Sequence, residues 1–226
     1  MKNAKNIRGL IFILVVMVFA RINIASAQTV STLQDQDGNI YKTIRIGNQV
    51  WMAENLRTTK YIDGTPIPIV SDKSAWIALS TPAYCWYNND TIYRNKFGAL
   101  YNGYAINSEK LCPSGWHIST DAEWTAMIEL LGGENVAGGK MKEAGLKNWM
   151  SPNTGATNES GFTSLPGGTR YGNGLFFSVN SAGSWWCLNK SNSLNGWYRS
   201  MNYASKTVTR NFIDLTNGFS VRCVKD

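Results

Sequence analysis

The sequence has little charge and only one histidine. Charged residues make up 16% of the 226 positions, and His117 is the single imidazole. A metal site built from several histidines is therefore excluded, and a Ser-His-Asp triad would have to use His117. Because His117 lies between Trp116 and Ile118, we favour a structural role for it in an apolar setting.

The motifs of several enzyme classes are also missing. The sequence contains no G-x-S-x-G turn and no C-x-x-C pair, and the Gly167-Gly168 loop lacks the lysine of a phosphate loop. No spacing among the 15 acidic residues selects the pair of carboxylates that a glycosidase needs. We therefore expect a protein that is not an enzyme.

Long apolar runs are absent except for one near the start. A basic segment precedes the apolar residues 10–20, and the small residues 25–27 follow them. This order is typical of a secretory signal peptide, whereas a membrane span needs about 20 apolar residues. We predict a signal peptide over residues 1–27, one mature domain over residues 28–226, and a secreted or cell-envelope location (periplasm, outer surface or extracellular space).

The net charge of +7 depends strongly on the predicted signal peptide. The chain has 22 basic and 15 acidic residues, and residues 1–27 contain four of the basic ones and none of the acidic ones. The mature domain therefore has 18 basic against 15 acidic residues and shows no basic stripe, so we expect no nucleic-acid partner. No second apolar stretch approaches membrane length, so we expect no membrane span in the mature domain.

The four cysteines all lie in the mature domain. An even number in an exported protein suggests two disulfides, with three connectivities open. We prefer Cys112–Cys223, since this bond would tie the end of the domain to its middle and contribute roughly 4–5 kcal/mol through loop closure. Cys85–Cys187 then follows by elimination, with a free thiol at Cys187 as the alternative.

Turn dipeptides divide residues 29–56 into short strands. Asp37-Gly38 and Gly47-Asn48 each predict a tight hairpin turn between β-forming stretches. Residues 35–39 also resemble the beginning of a calcium loop, but the glycine comes too early and the glutamate at the twelfth position is absent. We favour the hairpin and keep calcium as the weaker alternative; no other cofactor is expected.

The clearest helix begins after Thr120. Thr120 and Glu123 have the spacing of a capping box, and Gly132-Gly133 would end the helix. An apolar stripe at helical spacing follows the cap: Trp124, Met127, Ile128 and Leu131. With a weaker helix within residues 135–146 and strands at both ends, the pattern predicts a loop-rich α+β domain with short strands and one or two main helices.

Five blocks of the sequence, taken in order, resemble one family. They are DGNIYKTIRIGNQVWMAENLRTTKYIDGTPI, TPAYCWYNND, LCPSGWHISTDAEW, GFTSLPGGTR and GFSVRCVKD, and they cover about residues 35–226. Together they resemble the Fibrobacter succinogenes major paralogous domain. That resemblance implies an exported protein of Bacteroidota or Fibrobacterota.

A more distant similarity concerns GWHISTDAEW, and GSWWC followed by GFSVRC. These segments resemble the formylglycine-generating (sulfatase-modifying factor) proteins, which implies a C-type-lectin-like fold. The enzymes of that group bind copper through two late cysteines, and Cys187 corresponds to the first of them. Asn192 stands where the second would be, so the copper pair is missing. An enzyme that keeps this fold but uses other residues is therefore only an alternative.

Aromatic residues are the best indication of function. The nine Trp and ten Tyr all follow residue 27, and exposed aromatic rings with neighbouring Asn and Asp side chains can hold sugars. The candidate ligand-binding residues are Trp86, Asn88, Asn89, Asp90, Trp185 and Trp186. For the tryptophans, core packing is the interpretation we favour. We expect a recognition protein for a glycan or another surface protein, with a purely structural envelope protein as a further alternative.

Overall fold

The computed structural model describes residues 31–190 and 194–226. The predicted signal peptide and Asn192 lie outside these residues. The described chain is a mixed α/β protein, rich in strands and with few helices. The strands are β1 (Ser31–Gln34), β2 (Ile40–Ile46), β3 (Gln49–Met52), β4 (Tyr84–Cys85), β5 (Leu100–Asn102), β6 (Trp116–Ile118), β7 (Gly167–Arg170), β8 (Phe176–Val179), β9 (Ala182–Lys190), β10 (Asn195–Asn202), β11 (Thr209–Asp214), β12 (Gly218–Phe219) and β13 (Cys223–Lys225).

The helices are short. They are α1 (Lys73–Ile77), α2 (Ile92–Phe97), α3 (Gly103–Ile106), α4 (Asp121–Leu130) and α5 (Glu134–Met141), with a 3-10 turn at Tyr87–Asn89. Within the part of the chain that the structure describes, no helix has the length and apolar character needed to cross a membrane.

The strands form two sheets. The smaller sheet has the antiparallel order β1-β2-β3-β13-β6, so β13 lies between two early segments of the chain. The larger sheet has the order β11-β10-β9-β7-β12-β5-β4, with β8 paired to β7. Strands β7 and β9 run parallel, and the other neighbours in the larger sheet are antiparallel.

The predicted hairpins β1-β2 and β2-β3 are both confirmed. In the first turn, the Asp35 carboxylate accepts hydrogen bonds from the backbone N–H groups of Asp37 and Asn39, both at 2.9 Å. The Asp37 carboxylate accepts the backbone N–H and the hydroxyl of Thr59. The carboxylates that suggested a calcium loop thus serve the turn, and residues 31–190 and 194–226 contain no group of three His, Cys, Asp or Glu that could hold a metal.

Helix α4 has the predicted cap. The Thr120 hydroxyl accepts the backbone N–H of Glu123 at 3.2 Å, and the Glu123 carboxylate accepts the backbone N–H of Thr120 at 2.8 Å. The weaker helix predicted within residues 135–146 is confirmed as α5, which begins one residue before that range and ends at Met141. Its two glycines have a packing role, because a Cβ at Gly139 would lie 2.5 Å from the carbonyl oxygen of Gly155.

The disulfide Cys112–Cys223 is present, with its Cα atoms 6.0 Å apart. It joins the segment before β6 to strand β13. The predicted bond between Cys85 and Cys187 is wrong, since both are free, buried thiols that pack in different apolar clusters. Burial raises the pKa of the Cys85 thiol to about 12, and it raises that of Cys187 as well, so both remain protonated at neutral pH.

Buried cations hold the long loops together. Lys142 donates its three ammonium protons to the carbonyl oxygens of Thr154, Asn202 and Ser205, at 2.8–3.1 Å. The guanidinium N–H groups of Arg222 likewise donate to the carbonyl oxygens of residues 52, 162 and 163. These six carbonyls belong to loop residues or to the last residues of β3 and β10, and a buried carbonyl without a hydrogen bond is costly. These side chains therefore replace the hydrogen bonds that regular structure would supply.

Candidate functional site

The predicted aromatic site is not a ligand surface. Trp86, Trp185 and Trp186 have exposed fractions of 5%, 0% and 1%. The indole N–H of Trp185 is bonded to Asn55 at 2.9 Å, and that of Trp186 to the carbonyl oxygen of Tyr101 at 2.8 Å. No ring face is left for a sugar to stack on, so the packing interpretation holds for all three tryptophans.

The polar residues of the other predicted cluster are exposed, but they shape a turn. Asn88 and Asn89 adopt left-handed backbone conformations with φ of 50° and 57°. The Asn89 side chain donates to the carbonyl oxygen of Ser71 at 2.9 Å, and the Asp90 carboxylate accepts the backbone N–H of Ile92 at 2.9 Å. Two of the three side chains thus have local partners in the segment that leads into α2.

A polar cleft of about 500 Å³ lies elsewhere, between β2, the end of α2 and the loop after α5. Charged and amide side chains make up most of its lining: Lys42, Glu54, Asn55, Arg57, Asn95, Lys96, Glu143, Lys147 and Asn148. None of the predicted site residues lines it.

The floor of the cleft is fixed by Asn55. Its Oδ1 accepts from Nε of Arg222 and Nε1 of Trp185, while its Nδ2 donates to the carbonyl oxygen of Phe97 and to the Ser220 hydroxyl. The segment that follows α2 passes close to Asn55 at residue 98, where φ is +77°. A Cβ at this position would lie 2.8 Å from Cβ of Asn55. Glycine at position 98 is therefore required for the close approach.

The two acidic groups of the cleft are occupied. Both carboxylate oxygens of Glu143 accept from Nδ2 of Asn148, at 3.0 and 2.9 Å. Glu54 accepts from Nη1 of Arg57 at 3.1 Å and from the backbone N–H of Lys42 at 3.1 Å. The negative charge in the walls is thus already engaged by protein donors.

Three exposed lysines at the mouth of the cleft form no ion pair with a described carboxylate, and we call them the rim lysines. They are Lys42, Lys96 and Lys147. Among the described residues, no carboxylate lies within ion-pair distance of their ammonium groups, and the ammonium of Lys96 is 4.7 Å from the centre of the Phe97 ring. The mouth of the cleft is therefore positive and offers hydrogen-bond donors.

Sequence reasoning missed this site because its residues come from five separate segments. No two of the three rim lysines lie within 50 positions of each other, so no spacing marks them. Asn55 itself carries no local signal, because its role depends on partners far along the chain, at Trp185, Ser220 and Arg222.

His117 forms a separate cluster outside the cleft. Its Nε2 lies 2.8 Å from Glu123 and its Nδ1 lies 2.6 Å from Asp226. Partial burial disfavours the charged ring, but the hydrogen bonds to Asp226 and Glu123 outweigh burial and raise the pKa of His117. Because Glu123 also caps α4, the ring links that helix end to the residue after β13. This arrangement agrees with the structural role expected for His117, but the expected apolar setting is wrong, since the side chain is 34% exposed and lies between two carboxylates.

The fold and the cleft define a strand-rich α/β domain with a polar, lysine-rimmed depression on its surface. The family model of the Fibrobacter succinogenes major domain matches residues 44–225, so the chain belongs to this family, as the five sequence blocks predicted. No curated protein and no solved structure matches the chain.

Proposed function

We propose that the chain is an exported, non-enzymatic recognition protein with a C-type-lectin-like fold, and that it binds an acidic glycan in the cleft. The observation that carries the proposal is the set of three rim lysines without carboxylate partners, beside the exposed amide of Asn95. Ammonium groups bind carboxylate or sulfate substituents, and amides bind hydroxyls.

Two features support the remaining parts of the proposal. The signal-like start of the sequence and the disulfide Cys112–Cys223 fit an oxidising compartment outside the cytosol. The two carboxylates of the cleft, Glu54 and Glu143, are held by Arg57 and Asn148. Carboxylates held in this way keep the walls of the cleft in place and leave the lysines as the unpaired charges at its mouth.

The test is a glycan array that carries neutral, uronate and sulfated sugars, probed with the secreted protein and its disulfide intact. We expect binding to the acidic sugars alone. Lys96→Ala and Lys147→Ala should each lower the affinity about two- to fivefold, which is the effect of one exposed ion pair. Binding should also weaken as salt is added.

The matched control is Lys110→Ala. Lys110 is an exposed lysine outside the cleft, where it pairs with Asp63 at 3.0 Å. An array without acidic binders, or equal losses from Lys96→Ala and Lys110→Ala, would refute the proposal and favour a protein partner or a purely structural role.

A further inference from the structure

Strand β11 leaves one edge of the larger sheet open. Among the described residues it pairs only with β10, through an unbroken register from Thr209 to Asp214. Five of its six residues are exposed, and the sixth is half-buried. Proteins normally protect such an edge with Lys, Pro, a bulge or a very short strand. The sequence TRNFID has none of these devices. Charged side chains also protect strand edges, and two are present here, but Arg210 and Asp214 have opposite signs and can complement each other across a two-fold pairing.

Three side chains of β11 form a row on one face of the sheet. Arg210, Phe212 and Asp214 alternate with the other residues and so point to the same side of the sheet. The Phe212 ring is 5.5 Å from that of Trp197, and Arg210 lies 3.7 Å from the centre of the same indole. Despite this packing, Phe212 is 58% exposed, so most of an ordered aromatic ring faces water.

We propose that β11 pairs antiparallel with β11 of a second copy of this chain, in a register centred on Phe212. Two-fold symmetry then places Phe212 opposite Phe212 of the second copy. It also places Arg210 of each copy opposite Asp214 of the other, which gives two charge pairs. Direct cross-strand pairs of aromatic rings and of opposite charges are the ones that stabilise antiparallel strands. A symmetric interface requires this kind of self-complementarity.

The two charged residues keep the atoms that the pairing needs. Arg210 uses Nε and Nη2 to hold the Asp121 carboxylate at 2.9–3.0 Å. Asp214 uses Oδ1 to accept the N–H and hydroxyl of Thr216, both at 2.8 Å. Among the side chains that the structure describes, those of residues 31–188 and 194–226, none bonds to Nη1 of Arg210 or to Oδ2 of Asp214. Both side chains are thus fixed in place with one free atom each.

The expected dimer is weak. Five residues of each copy, 210–214, would pair, which is fewer than the roughly 20–30 residues a side of a standard interface. We therefore expect a dissociation constant in the micromolar range, so that the dimer appears as concentration rises. This inference is independent of the glycan proposal, because β11 does not line the cleft.

The test combines sedimentation with register-specific cross-linking of the full secreted protein. Between about 1 and 500 μM, the protein should shift from monomer to dimer, and Asp214→Arg, which sets arginine opposite arginine, should abolish the shift. Under mild oxidation, Phe212→Cys should form an intermolecular disulfide at least about tenfold faster than Asn211→Cys. In the proposed register, position 211 faces the other side and lies opposite position 213 of the second copy.

Three results would each overturn the proposed dimer. A monomer over the whole concentration range would overturn the proposal. So would a dimer that Asp214→Arg leaves intact, or equal cross-linking of the two cysteine variants, because either result would place the contact on another surface.

Discussion

Replacing Asn55 with alanine should destabilise the protein far more than any other amide substitution in the cleft. The Asn55 side chain is 3% exposed and uses its full hydrogen-bonding capacity on two donors and two acceptors. The donors are Nε of Arg222 at 2.8 Å and Nε1 of Trp185 at 2.9 Å. The acceptors are the carbonyl oxygen of Phe97 at 2.8 Å and the Ser220 hydroxyl at 3.2 Å.

The size of the effect follows from what each partner can do after the change. Trp185 loses its acceptor and the carbonyl oxygen of Phe97 loses its donor, and each buried group left unsatisfied costs about 1–3 kcal/mol. Arg222 loses the acceptor of its Nε–H but keeps its hydrogen bonds to three carbonyl oxygens. The Ser220 hydroxyl loses a donor but can rotate, so we expect its loss to cost little. Asn55→Ala also leaves a small cavity, which adds to these costs. In total, we expect the free energy of unfolding to fall by about 3–6 kcal/mol, which is a large part of a typical value of about 5–15 kcal/mol.

The assay is urea unfolding followed by tryptophan fluorescence, with linear extrapolation to water. Asn95→Ala is the matched control, since Asn95 is an exposed amide of the same cleft, and its loss should stay below about 0.5 kcal/mol. Asn55→Asp keeps the acceptor for Arg222 and Trp185, so it should fall between the two alanine variants. A loss below about 1 kcal/mol for Asn55→Ala would refute the assignment of Asn55 as the residue that holds the floor.

Two further predictions concern stability. Replacing both Cys112 and Cys223 with serine should lower the free energy of unfolding by about 4–5 kcal/mol, because a loop closed over a separation of 111 residues becomes open; an unchanged urea midpoint would contradict this. His117→Gln should show a pH-dependent loss. Because the folded-state pKa of His117 is raised, its stabilisation is fully present below about pH 6.5 and is lost as pH rises through the folded-state value. For this half-exposed group we expect less than about 1 kcal/mol, and a difference from wild type that grows with pH would reverse the argument.

The sequence predicts those elements whose cause lies within a few residues. The capping box of Thr120 and Glu123 fixed the beginning of α4, and the dipeptides at 37–38 and 47–48 fixed two hairpins. In each case a short-range hydrogen bond or a positive φ determines the geometry, so the local sequence contains the information.

The elements that the sequence missed depend on long-range contacts. The pairing of Cys85 with Cys187 was inferred by elimination, and elimination fails when a core has room for two thiols in separate apolar clusters. The cleft was missed for a related reason. Lys42, Lys96 and Lys147 line one cleft although they come from β2, α2 and the loop after α5, and their proximity depends on how these distant segments pack.

The Trp185-Trp186 pair shows how an aromatic motif can be interpreted more strictly. Successive residues of a strand point to opposite faces of a sheet, so two adjacent tryptophans cannot both face a ligand on one side. In β9, Trp185 packs in one apolar cluster and Trp186 in another. Both faces of the strand are covered, as expected for the interior of a sheet between two cores. A tryptophan pair within a predicted strand is thus evidence for a doubly covered sheet. In this chain packing accounts for Trp185 and Trp186, so the proposal of a bound glycan depends on the polar cleft and not on this pair.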